Sequence, residues 1–142
     1  MSSALERLKN LTKKISSYEL SRQSNIRRLE ELFLELHIDQ KVEDFKSLFK
    51  FKAINLSGVS LSNGDLGSIK EGKYLQILAI SYDKNAKVKS KNVSLAYFGR
   101  VEAVESELKD AVVEFVLRYR FEKSFMTLEH YHEMLESFGS QE

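Results

Sequence analysis

Cysteine and proline are absent from these 142 residues, and glycine does not occur before Gly58. Without cysteine there is no disulfide framework, no thiolate zinc or iron–sulfur site and no thiol nucleophile. A reducing compartment suits such a chain, and cytoplasmic residence is the expectation. Without proline or early glycine, nothing in the first 57 residues forces a helix to stop. Long apolar runs are missing too. The longest, Ala111 to Leu117, is interrupted by Glu114 and falls far short of the ~20 residues that cross a bilayer. The N-terminal residues mix Leu5 and Leu8 with Glu6, Arg7 and Lys9, so no apolar centre of a signal peptide is expected there.

What remains is ordinary globular material. Apolar residues make up 42% and charged residues 30%, and nine Phe with six Tyr supply bulk for a core. Net charge is +1, but the sign changes in blocks. Residues 1–28 carry +5, 29–45 carry −5, 46–91 carry +6 and 92–142 carry −5. Alternating blocks suit parts that attract one another, within or between chains, better than a single-sign field that steers a polyanion.

A heptad begins at Met1. Met1, Leu8, Ile15, Arg22, Leu29 and Leu36 take its first core position, and Ala4, Leu11, Tyr18, Asn25 and Leu32 the second. The only polar members, Arg22 and Asn25, sit together in Ser21-Arg22-Gln23-Ser24-Asn25, where helix propensity also weakens. Two structures are open. Either one long helix forms an intermolecular coiled coil with Arg22 and Asn25 as register-setting polar layers, or the patch is a turn between two antiparallel helices, Ser24 or Asn25 capping the second. A shorter amphipathic segment with Val42, Phe45, Leu48 and Phe49 is expected after a break near Ile38–Lys41, its Phe residues docking on a sheet.

From Lys50 the pattern becomes alternating, with Gly, Asn and Ser as punctuation. Strands are expected over Phe51–Leu61, Tyr74–Tyr82 and Val93–Phe98, as an antiparallel meander whose middle strand is covered on both faces. Helical spacing returns after Gly99. Val101, Val104, Leu108, Val112, Phe115 and Tyr119 form one stripe, widened by Val113, Val116 and Leu117; Phe121, Phe125, Leu128, Tyr131, Leu135 and Phe138 form another, with Ser124 or Thr127 as a possible cap between helices. The fold class is therefore α+β: an N-terminal coiled coil or helical hairpin, a small three-stranded sheet and long C-terminal helices. Residues 1–38 read as a helical arm and 39–142 as an α+β domain.

Catalytic chemistry finds little purchase. Glu129-His130-Tyr131-His132-Glu133 contains a Glu-x-x-His half-site, but a di-iron bundle needs a second one, and the other histidine, His37, follows Leu34 at that spacing. No Gly-x-Ser-x-Gly elbow, Gly-x-Gly-x-x-Gly turn or Walker pattern can be written. No metal or other cofactor is implied. The reading that follows is a non-enzymatic adaptor or scaffold that forms a homodimer through Leu8, Leu11, Ile15, Tyr18, Leu29, Leu32 and Leu36, with another protein as further partner and no role for a membrane. Two alternatives stand beside it. Lys84, Lys87, Lys89 and Lys91 on a hairpin could meet the phosphates of a nucleic acid, or a small enzyme or ligand-binding pocket could be invisible in the sequence.

Overall fold

The structure is a computed structural model that describes residues 3–82 and 90–140, without the side chains of 15, 16 and 90. Ser3 opens the first helix by accepting a hydrogen bond on its hydroxyl from the Glu6 N–H, which satisfies one of the free amides at the N-terminus. With no breaker following, α1 runs unbroken over Ala4–Glu35. Of the two structures open at residues 21–25, the turn does not form and the single long helix does. Leu36 caps the helix, and His37 then adopts left-handed geometry, with φ of 58°, and redirects the chain. The break thus begins at His37, slightly before the expected position.

The Val42–Phe49 segment is a 3₁₀ turn, Phe45–Lys50, capped by the Asp44 carboxylate accepting from the Ser47 N–H. Its rings link the first helix to the last. Phe33 meets Phe45 edge-on, Phe45 meets Phe49 edge-on, and Phe49 stacks on Tyr119 at 5.4 Å. Their destination is a helix as much as the sheet.

Three strands follow in the order β1 (Ala53–Ser57), β2 (Tyr74–Tyr82) and β3 (Ser90–Arg100), each antiparallel to its neighbour. The meander is therefore as expected, but β1 is shorter, because Gly58 ends it. At φ of 90° this residue lies so close to β2 that a Cβ would sit 2.7 Å from the Tyr74 carbonyl oxygen. Beyond it, Val59 bridges to Ile69 and closes the loop before β2. The middle strand differs from expectation in one respect. Leu75, Ile77 and Ala79 are buried, whereas Leu78 and Ile80 are half-exposed and Tyr74 and Tyr82 stand in solvent. Only one face of the sheet is sealed, as is usual for an antiparallel sheet.

A single helix, α2, spans Ser106–Gly139. The second cap expected at Ser124 or Thr127 is absent: both hydroxyls donate back to carbonyls four residues earlier, Arg120 and Lys123, which a continuous helix permits. Val112, Val113, Phe115, Val116 and Tyr119 are buried with Ile54, Leu75, Ile77 and Leu95 of the sheet and with Leu29, Leu32, Phe33 and Leu36 of α1. The boundary expected after residue 38 falls inside this core, which continues through Ile38, Val42 and Leu48.

Candidate functional site

The C-terminal half of α1 lies antiparallel on the middle of α2, and the pairing is polar as well as apolar. Arg22 donates from Nε and Nη2 to both oxygens of Glu122, at 2.9–3.2 Å, and from Nη1 to Glu129, while its guanidinium sits 5.2 Å from the centre of the Phe125 ring. Asn25 donates to the Arg118 carbonyl at 2.9 Å and accepts from the Arg118 guanidinium at 3.1 Å. Further along, Arg28 meets Glu114, which also accepts from Arg118 Nε at 2.7 Å. As numbers rise on α1, they fall on α2.

These contacts decide the meaning of the two polar heptad positions. Arg22 and Asn25 are register layers of a pairing within the chain, the partners being Glu122 and Arg118, and neither forms a turn. Glu122 is only 4% exposed and Asn25 only 3%, so their partners replace the water they give up. The electrostatics agree. Hydrogen bonds that Arg22 donates to Glu122 and Glu129 raise its pKa, locking the cation on. Partial burial pushes the Glu114 carboxyl up, but donors on Arg28 and Arg118 outweigh it and hold the group below its usual range.

The expected self-association residues divide into two sets. Leu29, Leu32 and Leu36 are in the chain's own core and are not free for a partner. Leu8, Leu11 and Tyr18 stand in solvent with Leu5 and Leu20, each between 49% and 67% exposed; the Ile15 side chain lies outside the described residues. A second surface lies on the acidic final helix, which the sequence offered to another protein without showing that its apolar stripe is exposed. Every described residue of α2 from Met126 onward is exposed, including Leu128, Tyr131, Met134, Leu135 and Phe138 at 50–75%. Its apolar spacing was visible, as a second stripe expected on a separate helix, but not that this face stands in solvent.

Of the basic hairpin, Lys84, Lys87 and Lys89 lie outside the described residues, and Lys91 is exposed on β3. In the histidine cluster, His132 meets Glu136 at 3.0 Å while Glu129 is engaged by Arg22. Among the described residues, no three His, Asp or Glu side chains gather as a metal site, and no helix is long and apolar enough to cross a membrane. The larger grooves are open surface features; one of about 630 Å³ lies where the helices cross, lined by Leu20, Asn25, Leu117 and Phe121.

No protein-family model, curated protein or solved structure matches this chain.

Proposed function

We propose that the chain is a non-enzymatic adaptor or scaffold that associates with a second copy of itself through the exposed half of α1. The observation that carries this reading is the stripe Leu5, Leu8, Leu11 and Tyr18, exposed on a helix that no described residue buries there. Leaving a leucine exposed forfeits about 1.5–3 kcal/mol relative to burial. Exposed apolar side chains at one helical spacing suit an interaction site. Length adds to the argument. Most helical stability in proteins comes from packing an apolar face, and an isolated helix of about 12–15 residues is marginal in water. The described side chains of residues 4–20 have no such packing here, so a partner helix would stabilise the fold as well as the assembly. The cysteine-free composition suits work in the cytoplasm.

Light-scattering mass measured on the full chain tests the proposal. The wild type is expected to be a dimer, and Leu8→Glu with Leu11→Glu to be a folded monomer with the same thermal midpoint at low concentration. A wild type that stays monomeric at the highest attainable concentration would overturn it. Removing residues 1–38 is not a suitable test, because it deletes Leu29, Leu32 and Leu36 from the core.

A further inference from the structure

We infer that the receiving surface for the α1 arm is the C-terminal arm of α2 on the second copy, so that two molecules pair reciprocally, α1 to α2 and α2 to α1. This rests on the self-association reading above and specifies its geometry.

The first observation is direction. Arg22 meets Glu122 and Glu129 while Arg28 meets Glu114, so the helices are antiparallel and the start of α1 leaves the core at the same end as the finish of α2. The molecule has two prongs at one end, about 25 Å long for residues 4–20 and about 21 Å for residues 126–139 at 1.5 Å per residue.

The second is the face of α2 that carries the apolar residues. Leu117, Phe121, Leu128, Tyr131, Leu135 and Phe138 follow heptad spacing and are all exposed. At about 100° per residue this stripe is centred roughly 160° around the helix from the side bearing Val112, Phe115 and Tyr119. It faces away from the chain's own core. Folding alone cannot cover it, whereas a helix from another molecule can. At its inner end, Leu117 and Phe121 line a groove with Leu20, Ser21 and Ser24 of α1.

The third is charge. The α1 arm carries Arg7, Lys9, Lys13 and Lys14 against Glu6 and Glu19, and the α2 arm carries Glu133 and Glu136 beyond Glu129, which Arg22 of the same chain engages, with no lysine or arginine. Pairing α1 with α1 in parallel would set four bases against four and leave the α2 stripe in water. Pairing α1 with the partner's α2 sets base against acid twice, across one two-fold axis, and covers both stripes. The product is a four-helix arrangement built from two forks.

Charge reversal distinguishes the two geometries. Lys13→Glu with Lys14→Glu makes one chain whose arms are both acidic; Glu133→Lys with Glu136→Lys makes one whose arms are both basic. All four positions are exposed and the new residues are good helix formers, so folding is preserved. Measured by sedimentation equilibrium at low salt, each variant alone is expected to dimerise at least about tenfold more weakly than wild type. An equimolar mixture is expected to recover nearly wild-type affinity, because both contacts of the heterodimer are then complementary. Dimerisation unchanged in both variants, or weakened in both without recovery on mixing, would overturn the reciprocal geometry and leave self-association standing. A monomeric wild type would remove both.

Discussion

The two halves of α1 share one heptad and meet opposite fates. Leu8, Leu11 and Tyr18 continue the line of Leu29, Leu32 and Leu36 at the same spacing on the same unbroken helix, yet the first three are in solvent and the last three in the core. Periodicity states that a helix has an apolar side; it does not state what lies against that side. The change occurs at Arg22 and Asn25, where α1 first meets α2. The polar layer is the edge of the folded body, and beyond it the described side chains of the helix stand in solvent.

The sharpest way to break that contrast is at the edge itself. Arg22→Ala leaves Glu122, almost fully buried, with its charge unpaired, and a loss of about 3–5 kcal/mol is expected. Arg22→Met combined with Glu122→Leu removes both charges and is expected to restore most of it, since well-packed apolar residues often replace a buried pair without loss. Denaturant unfolding of the two variants measures this. If the double variant is as unstable as the single one, the pair is holding more than its own charges.

The next largest difference compares equivalent leucines on either side of the edge. Leu32→Ala opens a cavity beside Leu29 and Phe33 and is expected to cost about 2–5 kcal/mol. Leu11→Ala is expected to change stability by no more than about 0.5 kcal/mol when unfolding is followed at high dilution, and to weaken self-association instead. Equal losses at both positions under dilute conditions would mean that the exposed half is packed on its own chain after all.

Much of the fold could be read from the residues because absence and alternation are local signals. The lack of any breaker before Gly58 gave a long helix the advantage, and the punctuated alternation after Lys50 marked three strands in meander order. The single-helix form of α2 was less legible, since Ser124 and Thr127 suit a cap or a continuing helix equally until their hydroxyl partners are known. Glu122 was illegible for another reason. Its role depends on Arg22, one hundred residues away, and no spacing rule reaches that far. The exposed stripe on α2 was visible as a pattern, but only a three-dimensional core reveals that its face points outward.

The smallest expected effect lies one turn inward from the edge, at Glu114. Hydrogen bonds from Arg28 and Arg118 overcome its partial burial and lower its pKa in the folded chain. A carboxyl lowered in this way stabilises the fold while ionised, above its unfolded pKa near 4.3, and that contribution disappears as pH falls through the folded value, where the unfolded chain has already taken up the proton. The side chain is one-third exposed, so water screens the attraction and about 0.2–1 kcal/mol is the range to expect. Glu114→Gln keeps the shape and removes the charge. Its thermal midpoint should lie slightly below wild type at pH 7, and the gap should close as pH is lowered from neutral through the folded value, the other carboxylates cancelling in the comparison. A gap that stays constant across that interval would show that Arg28 and Arg118 serve α1–α2 docking by packing and hydrogen-bond geometry, with charge contributing nothing measurable.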